Sequence, residues 1–234
     1  MQLDAVLSPV VRRLKVNVSM TLQDTPCAPI RAVFGIYQFP DALFYENESA
    51  LRFDLGGEVS MSQALAARFL QAMDRSRAVA AALFDGTETL TVMIRYPEHT
   101  EWRQARRKAL VALARAGFRK PFGPAEKLPD PAAEPDYPVL NCWHWIEIEN
   151  DPNLISALLW CAGAAEMPVT PRAGWGVFHS YIADLNAGTV LHVYDDRGMD
   201  VVATTTDALR PIYERFKDWL LDYDRYRMDQ TFAT

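Results

Sequence analysis

The sequence predicts an α+β fold: a mostly antiparallel sheet, or two related sheets, with helices packed on one face. Three features carry this expectation. The chain has 234 residues, 50% of them hydrophobic, enough for a sizeable core in one domain or in two closely packed halves. Short strand-like runs alternate with helical patterns on both sides of a proline-rich stretch. Towards the C-terminus, three strand-like runs follow one another through turns and lead into an amphipathic helix.

In order, "SALRFDLGGE" (49–58) reads as a strand and "SMSQALAARFLQAM" (60–73) as a helix in which Ser60 and Gln63 have capping-box spacing. "ETLTVMIRYP" (88–97) is a second strand, and Glu101 to Gly117 is an amphipathic helix. Residues 121–138 then carry six prolines, each of which fixes φ and removes a backbone donor, so neither helix nor sheet is expected to propagate there. This connector divides an N-terminal half, 1–120, from a C-terminal half, 139–234, the two packed as one globule. In the second half "CWHWIEIEN" (142–150) is a strand, and Asp151 with Pro152 starts an apolar helix from Leu154 to Ala165. "WGVFHSYIADL" (175–185) and "TVLHVYD" (189–195) are strands joined by Asn186, Ala187 and Gly188, and "MDVVAT" (199–204) is a short last strand. The final helix is the most strongly patterned. Leu209, Ile212, Tyr213, Phe216, Trp219, Leu220 and Tyr223 make one apolar face, with Thr206 as cap and Pro211 forfeiting an early backbone bond. Trp219 is thereby assigned to the core. The element order on either side of the connector suggests a duplicated strand–helix–strand unit.

The net charge of −6 argues against general nucleic-acid binding, because phosphates repel such a surface, and suits a basic partner. The N-terminus lacks a basic start followed by an uninterrupted apolar stretch, and nowhere do about eighteen apolar residues run together, so a soluble cytoplasmic protein without a membrane segment is expected. Cys27, Cys142 and Cys161 have no metal-like spacing, and the last two lie in apolar runs; all three are read as reduced thiols.

A turn centred on Ala187 and Gly188 sets Tyr181 opposite His192 and His179 opposite Tyr194, so alternation collects two imidazoles and two phenols on one sheet face. Such a cluster could perform acid–base chemistry or hold a phosphate; the simpler expectation is a semi-polar sheet face. His144 shares a strand face with Cys142, Ile146 and Ile148 and is read as a hydrogen-bonded core residue. HExxH and CxxC spacings are absent, and no metal or cofactor is expected. "DLGGE" lacks the lysine and spacing of a phosphate loop, and no serine sits in a GxSxG elbow.

Charge is clustered along the chain. Glu214, Asp218 and Asp222 recur every four residues on the polar side of the last helix, where like charges repel by a few tenths of a kcal/mol. Arg215, Lys217 and Arg225 each lie three residues from one of them and are expected to pair locally; otherwise the stripe joins Asp195, Asp196 and Asp200 in one negative field. Residues 101–120 hold seven bases against one acid, read as a solvated face because no base-stacking aromatic set accompanies them. In "DDRG" (195–198), the aspartates are expected to bond turn amides and Gly198 to supply a positive φ. The second aspartate and Arg197 exceed what the turn requires.

The run "LHVYDDRGMDVVATTTDALRPIYERFKDWLLDYDRYRMDQTF", together with "LRFDLGGE", resembles a bacterial domain family of unknown function whose members end in a DDRG hairpin and a DW-x-LDYDR helix. The resemblance covers the C-terminal fifth or quarter of the chain. It implies a bacterial, cytoplasmic, stand-alone domain and transfers no catalytic residue. In general character the chain is also similar to immunity proteins that neutralise toxins. The expected function is therefore a non-enzymatic binding protein of the immunity type, in which Asp195, Asp196, Arg197, Glu214, Asp218 and Asp222 meet a basic toxin domain. The alternative is a hydrolase of a phosphorylated or nucleotide-like small molecule, working through His179, His192, Tyr181 and Tyr194, with a metal at Asp195 and Asp196.

Overall fold

The computed structural model describes residues 28–36, 38–58, 60–98, 103–120, 125–130, 133, 139–173 and 178–233; Cys27 and most of the proline-rich connector lie outside them. Seven strands form one sheet: β1 (Ala50–Asp54), β2 (Thr89–Pro97), β3 (Glu126–Pro129), β4 (Leu140–Glu149), β5 (His179–Asp184), β6 (Thr189–Val193) and β7 (Gly198–Ala203). Their order is β1-β7-β6-β5-β2-β4-β3, and every neighbouring pair is antiparallel. Strands from both sides of the connector therefore alternate in the sheet, β2 lying between β5 and β4. It follows that β1 and β2 run the same way across three intervening strands, and β4 and β5 across one. The similarity of element order between the halves does not extend to strand placement.

The crossover helices α2 (Met61–Leu83) and α4 (Pro152–Gly163) pack on each other; α3 (Arg103–Ala116) packs on α4, and α5 (Thr206–Arg215) on α2. This layer covers the apolar row Leu51, Val201, Leu191, Ile182, Val92 and Ile146, which crosses six strands in register. α4 begins as its sequence requires: the Asp151 carboxylate accepts the Asn153 amide at 2.8 Å, and Pro152 occupies the first turn, where no donor is needed. Cys142 and Cys161 are buried, and burial pushes the Cys161 thiol up to about 12.

The opposite sheet face is not open. It is covered by residues 38–49, with Ile30 of α1 (Ala28–Phe34) in the same core and Phe34 of α1 5.3 Å from the Phe39 ring. Phe39 stacks on Tyr181 with ring centroids 5.5 Å apart, the Tyr181 hydroxyl donates to the Pro40 carbonyl at 3.2 Å, and the Phe44 amide donates to Asp200 at 3.1 Å.

Two sequence expectations are corrected. Sheet structure does enter the connector, because β3 pairs with β4 at the sheet edge, where a strand of four residues ending in Pro129 needs only one partner. The last helix is not continuous: α5 stops at Arg215, Phe216 leaves helical geometry (φ −115°, ψ 25°), and a short 3₁₀ turn at 217–219, an extended Leu220, a second 3₁₀ turn at 222–224 and α6 (Arg225–Phe232) follow. The reason is the exposed edge of β1. Leu220 bridges Phe53, the Leu221 amide donates to the Arg52 carbonyl at 2.9 Å, and the Arg52 amide meets the Met228 sulfur at 3.2 Å, so the chain leaves the helix to satisfy an edge strand. Trp219 is consequently half-buried, stacked on Phe216 at 5.0 Å beneath the Arg75 guanidinium, and Tyr223 is 85% exposed. Thr205, not Thr206, occupies the cap position of α5; the Thr206 hydroxyl hydrogen-bonds Ser49 at 3.0 Å. Among the described residues no helix is long and apolar enough to cross a membrane.

Candidate functional site

The DDRG hairpin joins β6 to β7, and its charges are satisfied internally. Asp195 accepts the Arg197 amide at 2.7 Å and takes the Arg197 guanidinium on its other oxygen, with Nε at 2.9 Å. Asp196 pairs with Arg68 of α2 at 2.5 Å. Arg68 in turn lies over Gly56, where a Cβ would come within 2.3 Å of the guanidinium, and the Leu55 amide donates to the Arg197 carbonyl at 2.9 Å. The LGG and DDRG segments are thus one structural unit. Asp195 and Asp196 are each 2% exposed, so they are not part of an exposed acidic field; they face different arginines, and among the described residues no group of three or more His, Cys, Asp or Glu could hold a metal ion. Arg197 is the exposed member, reaching Glu166 at 3.2 Å.

Gly198 is required for a different reason from the one expected. Positive φ belongs to Gly188 (+66°) in the β5–β6 turn, not to Gly198, whose added Cβ would lie 2.0 Å from the Tyr194 hydroxyl and 2.5 Å from Cζ. The Tyr194 ring lies across the glycine. Gly198→Ala is therefore expected to displace that phenol at a cost of about 1–3 kcal/mol. Urea denaturation checks this; a loss under about 0.5 kcal/mol would mean that the ring moves freely.

The pairing set by Asn186 to Gly188 is observed. The β5–β6 ladder runs Asp184↔Thr189, Ala183↔Val190, Ile182↔Leu191 and so places Tyr181 against His192, their rings stacked at 4.3 Å, with His179 5.9 Å and Tyr194 6.2 Å from His192. All four share the second sheet face. Tyr181 and His192 are 0% exposed beneath Phe39 and Pro40, out of reach of a solute. Burial lowers His192 to about 4, although its Nδ1 sits 2.8 Å from the Ser180 carbonyl; burial, with the Arg95 charge and His192, lowers His179 to about 2. Both imidazoles are neutral at pH 7, and burial raises the Tyr181 and Tyr194 phenols well above their ordinary value. In each of the four the shift moves the group away from neutrality. His144 is a hydrogen-bonded core residue, with Nε2 2.6 Å from the Tyr96 hydroxyl.

His179 and Tyr194 do reach an open pocket of about 410 Å³, together with Arg95, Asn141, Asp41, Asp195 and Arg197. Arg95 was not singled out by sequence reasoning; its signal is a cation inside the apolar strand "TVMIRYP". It is 6% exposed, its guanidinium carbon is 5.8 Å from the centre of the Trp143 ring, and it forms an ion pair with Asp41.

The second candidate region is the C-terminal surface. Glu214, Asp218 and Asp222 are exposed, but the break at Phe216 distributes them over α5 and the two 3₁₀ turns. Their expected partners are engaged elsewhere: Arg225 pairs with Asp229 at 2.8 Å, Arg215 lies over Phe216 at 5.1 Å, and the Lys217 ammonium lies over Tyr213 at 5.5 Å. In the same stretch of chain Tyr223 and Tyr226 are 85% and 76% exposed. On α3, Ala109, Ala112 and Leu113 are buried, while Arg107, Lys108 and Arg115 border a groove of about 380 Å³ with Arg172.

No solved structure matches the chain. The chain is 28% identical over 72 residues to the uncharacterized protein YnaE of Bacillus subtilis (strain 168), a match that covers 30% of this chain and 34% of that protein. A family profile, that of the domain of unknown function DUF3885, matches residues 29–224, a span that includes the LGG loop, the DDRG hairpin and the turns that cap β1. The chain belongs to the DUF3885 family.

Proposed function

We propose that the protein is a non-enzymatic, cytoplasmic binding protein that masks a basic surface on a partner protein, as an immunity protein masks a toxin. The observation that carries this reading is the C-terminal stretch 214–226, where Glu214, Asp218 and Asp222 are exposed without the local ion pairs their spacing offers and where Tyr223, next to Asp222 in the chain, and Tyr226 are 85% and 76% exposed. Large aromatic side chains left in water are costly on a free monomer and are favoured anchors of interfaces, and unpaired acids around them select a basic partner and speed its approach. Asp195 and Asp196 are buried in ion pairs with Arg197 and Arg68, so the contact is assigned to the C-terminal acids and tyrosines, with the exposed Arg197 as the hairpin's available charge.

The test is photo-crosslinking in the native host from positions 223 and 226. A basic protein captured at both, and not from Val111 on α3, supports the reading. The paired change Tyr223→Ala with Tyr226→Ala is expected to weaken that complex by about 2–4 kcal/mol, and Asp222→Lys to slow association most at low salt. If the partner is a toxin, its toxicity is relieved by the wild-type chain and not by the tyrosine variant. Capture of nothing from either position, or of the same proteins as from Val111, overturns the proposal.

A further inference from the structure

We infer that Arg95, Asn141 and His179 form a receptor for the carboxylate or phosphate group of a small molecule, and that Asp41 occupies this receptor in the free protein. The site lies at the end of the second sheet face, where the register of β2 with β4 and β5 sets Arg95 against His179 and Asn141 against Pro97. Its volume of about 410 Å³ suits a small metabolite more than a bare ion.

Hydrogen-bond accounting fixes the chemistry of the ligand. The carboxylates in the wall are engaged: Asp195 by the amide and guanidinium of Arg197, Asp41 by Arg95, and Asp130 is not free either. Among the described residues that line the pocket, the buried side-chain atoms left without a hydrogen-bond partner are both donors, Arg95 Nε and Asn141 Nδ2, on residues that are 6% and 2% exposed. A ligand that completes the site must therefore bring acceptor oxygens, and a guanidinium fork is matched by a planar carboxylate or a phosphate face. The neutral His179 ring can add an N–H donor without further positive charge.

Asp41 identifies the position the ligand oxygens take. Its side chain is 61% exposed, comes from the covering residues 38–49, and among the described residues meets the site through Arg95 and, at 3.6 Å, His179 Nδ1. Moving Asp41 into water loses little, because it is already largely hydrated. Arg95, held over Trp143 in the sheet, cannot follow it. Exchange of Asp41 for an incoming oxyanion therefore conserves the charge pairing of a buried arginine while adding acceptors for the two orphan donors.

Calorimetric titration with inorganic phosphate and with malonate, against chloride at matched ionic strength, tests the inference. Asp41→Asn, which removes the internal competitor, is expected to bind at least one of the two about tenfold more tightly than wild type, with the His179 imidazole resonances shifting on titration. Adding Asn141→Leu is expected to lose that gain, whereas adding Arg107→Gln, which alters the basic groove on α3, leaves it intact. Preference for phosphate or for malonate assigns the head group. Asp41→Asn protein that is folded by circular dichroism yet binds neither anion overturns the inference, as does binding that survives Asn141→Leu or disappears with Arg107→Gln.

Discussion

Lowering the pH from about 6.5 to about 4.5 is expected to cost the fold about 5 kcal/mol through two histidines. In the unfolded chain both take up a proton near 6.5, whereas in the fold His192 resists until about 4 and His179 until about 2. Between these values the unfolded state binds more protons than the native state, so the stability present above 6.5 is lost as the pH falls. Each histidine contributes about 1.4 kcal/mol per pH unit over that window. The structural cause is plain at His192. Its Nδ1 faces the Ser180 carbonyl, and its Nε2 is buried with no partner, so a second proton would create a cationic N–H with nothing to accept it. At His179 the Arg95 guanidinium adds like-charge repulsion to burial. Asp200 works in the opposite sense, because burial raises its carboxyl against the pull of Arg52. The decisive quantity is therefore the difference between wild type and His179→Gln or His192→Gln in urea denaturation at stepped pH. Each variant should lose about 1.4 kcal/mol per pH unit less than wild type. Stability curves that run parallel to wild type throughout the window would show that the native imidazoles are not held neutral.

Much of this arrangement is legible in the sequence because it depends on local chemistry. The turn at Asn186 to Gly188 fixes one register, and alternation then assigns every side chain of β5 and β6 to a face, which is why the sequence pattern groups His179, Tyr181, His192 and Tyr194. The start of α4 at Asp151 and Pro152 is equally local. What could not be read is set by neighbours distant in sequence. Phe216 ends a helix whose apolar pattern continues, because the unpaired edge of β1 competes for Leu220 and Leu221. Asp195, Asp196 and Asp200 look like one acidic cluster in sequence, yet the fold hands them to Arg197, Arg68 and Arg52 respectively. Gly198 looks like a turn glycine and is instead a seat for the Tyr194 ring. The Arg95–Asp41 pair joins a central strand to a covering segment whose placement no periodicity signals.

Asp200→Ala is expected to destabilise the protein by about 3–5 kcal/mol, because it removes one partner of a buried charge pair and leaves the other. Asp200 is 0% exposed, accepts Arg52 Nε at 2.9 Å and the Phe44 amide at 3.1 Å, and lies directly across from His192 in the sheet. Burial lowers the affinity of the Arg52 guanidinium for its proton, but the charge and hydrogen bond of Asp200 together with Tyr194 and Tyr45 outweigh this and hold the arginine firmly protonated between the two rings. Without Asp200 the carboxylate left to this cation among the described residues is Asp224, at 3.3 Å, and the Phe44 amide loses its acceptor. Amides of residues 39–44 are accordingly expected to exchange faster with solvent, opening the cover over Tyr181 and His192. The same loosening should reach the proposed partner surface, since the Arg52 carbonyl holds the Leu221 amide and its guanidinium holds Asp224, between which Asp222 and Tyr223 are suspended. Arg52→Met should cost a similar amount, by leaving Asp200 as an unpaired buried carboxylate, whereas Arg52→Met combined with Asp200→Leu should cost clearly less than the sum. Urea denaturation of the four proteins measures the coupling. Strict additivity, or a loss below about 1 kcal/mol for Asp200→Ala, would mean that the pair is solvated in solution and that the second sheet face is held by its aromatic packing alone.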